Sequence, residues 1–81
     1  MHSLAFAQDI VNVAASEAKK YNLGRITKIN ILLGDGLADH EDSLKFSFGL
    51  LSKGTVAENA EIAVKIKPND FGMKIENMEG E

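Results

Sequence analysis

The 81-residue chain contains no cysteine, no tryptophan and a single proline. Without cysteine it can form no disulfide, no thiolate metal site and no thiol nucleophile. A domain this short then has to take its stability from packing, and no structural zinc is expected. Basic charge is also scarce. Nine Lys and Arg stand against twelve Asp and Glu, a formal net charge of -3, which argues against nucleic acid, whose phosphates reward a basic face. No apolar run approaches the roughly 20 residues that span a bilayer. The start of the chain lacks the basic residues of a secretion signal, and Gln8, Asp9 and Asn12 interrupt its apolar stretch. These absences predict a soluble, cytoplasmic protein of one domain, 1–81, with no nucleic-acid or membrane partner.

What is present is hydrophobic patterning of two periods. Leu4, Ala7, Val11, Ala14 and Ala18 recur at helical spacing, widened by Phe6, Ile10 and Val13, and predict a helix over 4–21. Ser3 is a candidate N-cap, Lys19 and Lys20 suit the negative end of the helix dipole, and Asn22 and Gly24 supply a stop. Over 25–33, Ile29, Ile31 and Leu33 alternate with polar residues as in a half-buried strand, while Leu32 suggests partial cover on the other face. Gly34-Asp35-Gly36 ends this strand and 37–41 reads as a polar connection. A second helix is predicted from Asp42 to Lys53, with Leu44, Phe48 and Leu51 inward and Gly54 closing it. Ile62, Val64 and Ile66 mark a second strand, 68–72 a turn, and Met73, Ile75 and Met78 a third strand. The fold class is α+β, in the order α-β-α-β-β, with two helices on a three-stranded mixed sheet. Phe6, Phe46 and Phe48 are expected to pack in the core or between helices, as are Met73 and Met78.

The lengths bring distant residues together. The first helix covers roughly 27 Å at about 1.5 Å per residue. The next strand covers a similar distance at about 3.3 Å per residue. A strand folding back along the helix delivers the 34–41 segment beside Met1 and His2. The two histidines of the chain, His2 and His40, then share one end of the domain. A free amine on Met1, the amide nitrogen of residue 2 and the His2 imidazole can close fused five- and six-membered chelate rings. Such nitrogen donors suit Ni(II) or Cu(II) in square-planar geometry, and donor type alone does not choose between them. His40 can add a further imidazole, and Asp35, Asp39, Glu41 and Asp42 lower the cost of bringing in a dication. The plainer alternatives are a solvated N-terminal histidine and an acidic helix start of the kind the dipole favours. Gly34-Asp35-Gly36 lacks the GxxxxGK[ST] spacing of a phosphate loop, and Ser3 beside His2 lacks an orienting third group. No enzyme is predicted.

Met1-His2, Leu4, Ala7-Gln8 and Ile10-Val11 together resemble the opening of the HypA/HybF family of hydrogenase nickel-insertion proteins. The resemblance continues through Glu17 to Lys20, Leu33-Gly34-Asp35, Asp42 to Phe46, Leu50 to Thr55, Ala57-Glu58 and Ala60-Glu61, and the ending of the last strand. Several of these matches are polar, so core periodicity does not explain them. The resemblance implies a nickel site formed by Met1, His2, the backbone of Ser3 and position 40. It also implies that a zinc module with paired CxxC ligands is replaced here by the hairpin loop 68–72. Two positions depart from the family pattern: Ser3 stands where a glutamate is usual, and His40 where an acid is usual. The function so implied is a nickel-binding accessory protein, metallochaperone-like, for hydrogenase maturation. Its partners would be a nickel-delivering GTPase or the hydrogenase large subunit, and it would be a monomer or a weak homodimer through a strand edge. The competing expectations are a metal-free interaction module on the same fold and a copper-binding protein using the same chelate.

Overall fold

The second element of the chain, β1 (Ile26–Gly34), runs through the middle of a three-stranded sheet. The computed structural model describes residues 2–81. Before β1 comes α1 (Ser3–Lys20). After it come a 3-10 helix (Asp35–His40), α2 (Glu41–Leu51), β2 (Glu61–Lys67) and β3 (Met73–Gly80). The sheet order is β2-β1-β3, with β2 parallel to β1 and β3 antiparallel to it. This is the expected α+β arrangement of two helices on a mixed sheet. A parallel pair cannot be joined by a hairpin, and α2 supplies the crossover.

Three rows of inward residues cross the sheet. Ile29 lies between Ile62 and Met78, Ile31 between Val64 and Ile75, and Leu33 between Ile66 and Met73. Ile29, Ile31 and Leu33 have no exposed surface. Against this face α1 places Ala7, Ile10, Val11, Ala14 and Ala18, and α2 places Leu44 and Phe48. Burying each large aliphatic side chain contributes roughly 1.5–3 kcal/mol. The odd spacing of Met73, Ile75 and Met78 has a specific cause. Asn30 pairs with Asn77 and Ile31 with Ile75, so Glu76 is an extra residue in β3. That bulge reverses the strand's phase and returns Met78 to the core side.

Several local expectations are corrected. The N-cap of α1 is His2, not Ser3: the Phe6 amide donates to the His2 carbonyl at 3.1 Å, which closes the first turn one residue earlier. Of the two residues expected to stop α1, Asn22 is the left-handed one (φ 58), and Gly24 is not needed for the turn. The Leu23 amide donates to Ala18 O at 2.8 Å and the Asn22 amide to Lys19 O at 3.4 Å, the paired bonds of a Schellman ending. The 37–41 connection is not a loop; 35–40 form the 3-10 helix, which leads straight into α2. Leu4 is 60% exposed and Phe46 is 70% exposed, so neither belongs to the core. Leu4 lies on the first turn of α1, ahead of Ala7, the first buried residue of that helix. Phe46 follows buried Leu44 by two positions, which turns it to the opposite side of α2.

The turn between β2 and β3 crosses the end of β1 and is fastened there. The Gly34 amide donates to Gly72 O at 2.8 Å, the Gly36 amide to Asp70 O at 3.0 Å, and the Asn69 amide to Asp35 Oδ2 at 3.1 Å. A methyl group on Gly34 would collide with the Asp70 backbone, and one on Gly36 with the Phe71 ring. Asp70 organises the turn by accepting from the Phe71 amide at 2.8 Å and the Gly72 amide at 3.2 Å. Those two backbone donors, with a smaller contribution from Lys67, hold its carboxyl below the ordinary 3.8. A lowered pKa gives a stabilisation complete above the ordinary carboxylate range and lost as pH falls through the lowered value. The amide resonances of Phe71 and Gly72 are therefore expected to shift together below pH 3.8 and to lose that step in Asp70→Asn. Resonances that do not move on acidification would show that the carboxylate does not hold the turn.

Candidate metal site

The direction of the helices decides which residues meet. Since β2 is parallel to β1, α2 has to run back along β1 to reach the start of β2. Residues 21–25 turn the chain from α1 into β1, so α1 runs against β1 as well. Both helices therefore begin at the end of the sheet where β1 finishes. His2 is the N-cap of α1 and His40 the N-cap of α2, and the 3-10 helix joins that end of β1 to His40.

The individual groups differ in their freedom. His2 is exposed, and its side chain makes no capping hydrogen bond. Ser3 is half-buried as the first residue of α1. His40 is half-buried and also caps nothing with its side chain. Met1 lies outside the described residues, and with it the amine half of the chelate. Of the four neighbouring acids, two are engaged elsewhere. Asp35 accepts from the Asn69 amide, and Glu41 pairs with Lys45 at 3.0 Å along the first turn of α2. Asp39 and Asp42 are exposed. Among the described residues, no three His, Asp or Glu side chains form a group able to hold a metal ion. A site here therefore has to be completed by backbone or terminal nitrogen.

The positive ends of two helices point at this region, which by itself disfavours a cation by roughly 0.3–1 kcal/mol per helix. Acids in the first turn of α2, Glu41 and Asp42, offset that field. What sequence reading missed is the fastening of the 3-10 helix by Asp35, Asp70 and Phe71. Only the turn composition of 68–72 hinted at structure there, and nothing in it identified Asp35 as the acceptor. Among the described residues, no helix is long and apolar enough to cross a membrane.

A family model described as hydrogenase/urease nickel incorporation, metallochaperone, hypA matches residues 1–72. The hydrogenase maturation factor HypA of Caldanaerobacter subterraneus is 36% identical over 71 residues, covering 88% of this chain and 62% of that protein. HypA of Chlorobaculum tepidum is 34% identical over 65 residues, covering 80% and 58%. The chain thus spans about three-fifths of the length of these relatives. The solution structure of the nickel metallochaperone HypA from Helicobacter pylori superposes with a TM-score of 0.84 at 13% identity, covering 99% of this chain and 97% of that one. At that identity the likeness is one of fold.

Proposed function

The chain belongs to the HypA family of nickel-incorporation metallochaperones, and on that premise we propose that it carries Ni(II) at the end of the domain where both helices begin. The observation that carries the reading is the common start of α1 and α2, with a histidine as the N-cap of each. The Met1 amine, the His2 amide nitrogen and the His2 imidazole form the chelate, bounded by the Ser3 backbone, and His40 supplies a further imidazole. Deprotonating a backbone amide adds a negative charge beside the metal, which offsets the field of the helix ends. The protein is non-catalytic and cytoplasmic. It hands its cargo to a GTPase partner or to a hydrogenase large subunit, and the missing glutamate at Ser3 alters that transfer more than binding itself.

Calorimetric titration with Ni(II) tests the reading and is expected to show one ion per chain. His40→Ala is expected to weaken binding by about tenfold, or 1.4 kcal/mol, whereas His40→Asp keeps measurable affinity through its carboxylate. Unchanged affinity in both variants removes His40 from the site. No nickel binding at all would leave a metal-free docking module. For the same nitrogen donors Cu(II) binds more tightly than Ni(II), so competition between the two ions is part of the measurement.

A further inference from the structure

Helix α1 leans on α2 and touches β3 only sparsely, so a groove of about 290 Å³ stays open between the second half of α1 and β3. Its floor is apolar, made of buried Ile26 and half-buried Leu23, Ile75 and Met78. One wall is a helical stripe, Val13, Glu17 and Tyr21. These three follow buried Ile10, Ala14 and Ala18 by three positions each, so the stripe runs directly beside the one that packs on the sheet. Val13 is 39% and Tyr21 60% exposed. The other wall carries Glu76, the extra residue of the β3 bulge. A bulge re-aims the side chains around it, and here it brings an acid to the edge of an apolar cleft.

The charge of the groove is of one sign. No Lys, Arg or His lines it. Neither Glu17 nor Glu76 takes part in an ion pair or a side-chain hydrogen bond among the described residues. Lys20 lies over the Tyr21 ring, 5.3 Å from its centroid, and is not part of the lining. Glu17 is half-buried, and an opposite charge brought to such a group is screened less than at an open surface.

We propose that this groove docks an arginine side chain of a partner protein, together with an apolar residue next to it. The walls define that occupant. The stem of an arginine covers the apolar floor, while its planar head offers five donors, enough for both carboxylates. The same head stacks on an aromatic face such as that of Tyr21, which a lysine ammonium does not. A neighbouring leucine-type side chain covers Val13 and Met78. An acidic segment is repelled here, and a purely apolar one strips water from two carboxylates without pairing them. The volume falls at the lower end of small-molecule pockets, which run from roughly 300 to 1,000 Å³, and so suits one or two side chains rather than a cofactor. His2 begins α1, whereas the groove follows its second half. A partner seated there leaves the proposed nickel end open, and its docking does not depend on nickel.

The chain has one tyrosine and no tryptophan, so its intrinsic fluorescence reports on the groove alone. The probe is the capped peptide N-acetyl-Leu-Arg-Leu-amide, titrated into the full chain with chelator present and about 20 mM NaCl, where screening is weak. A saturable change in Tyr21 fluorescence is expected with a Kd of about 1 mM, and amide shifts centred on Val13, Glu17, Tyr21 and Met78 should accompany it. Replacing the arginine by citrulline keeps the shape and removes the charge, and is expected to weaken binding at least tenfold. The double variant Glu17→Gln with Glu76→Gln is expected to do the same, with its circular dichroism and thermal midpoint unchanged. No saturation by about 10 mM peptide, or shifts centred elsewhere, would overturn the proposal. So would a citrulline peptide that binds equally well, or a double variant that binds like the parent. A groove that is merely apolar would give these last two results.

Discussion

Ile31→Ala is expected to lower the free energy of unfolding by about 3–4 kcal/mol, within the range for buried aliphatic truncations. Ile31 has no exposed surface and lies between Val64 and Ile75 in the central row of the core face. Helix residues close over it, so little can collapse into the space left behind. Domains of this size hold on the order of 5–10 kcal/mol in total, so the variant keeps roughly half its stability. With an m-value of about 1.5 kcal/mol/M, the urea midpoint should fall by roughly 2 M. Ile66→Ala is the control. Ile66 occupies the same face but is 41% exposed at the rim, and its truncation should cost only about 1 kcal/mol. Equal losses at the two positions would mean that the core is not centred on β1.

Acetylating the N-terminal amine in the variant His2→Ala is expected to weaken Ni(II) binding by at least a hundredfold, about 2.7 kcal/mol. In the proposed site the amine would close the five-membered chelate ring and the imidazole the six-membered one. Each change alone opens one ring and should cost at least about tenfold. Thermal stability is expected to stay within about 0.5 kcal/mol, because His2 is exposed and its side chain caps nothing. That separation of binding from stability distinguishes a ligand from a packing residue. Affinity unchanged in the doubly altered chain would place nickel elsewhere, even with family membership intact.

The order of elements was legible because each inward face repeats cleanly in sequence. Ile29, Ile31 and Leu33 announced β1, and Ala7, Val11, Ala14 and Ala18 announced α1. Leu4 and Phe46 were misread for one reason: hydrophobicity at roughly helical spacing does not say where the covered stripe stops. The 3-10 helix was missed because 35–40 is polar and glycine-containing, and its order comes from a turn more than thirty residues away. No local signal connects Asp35 to Asn69. For the candidate site, chain lengths and connection rules already pointed His2 and His40 toward one end of the domain. They did not show that Asp35 and Glu41 are occupied in holding the scaffold, which leaves Asp39 and Asp42 as the nearby acids without a side-chain partner among the described residues.

Because β2 and β3 are each registered on β1 rather than on one another, the link between them bears no responsibility for strand alignment. Residues spliced in between Lys67 and Met73 would leave every ladder of the sheet intact, which makes the turn a port at which chain can be gained or lost. The port is not mechanically silent, however. Its present occupants grip Gly34, Asp35 and Gly36, at the root of the segment that delivers His40. Any longer insert has to renew that grip or release the segment. Length at this one junction thus becomes a setting for how firmly one flank of the proposed nickel end is held, without a change to any residue there.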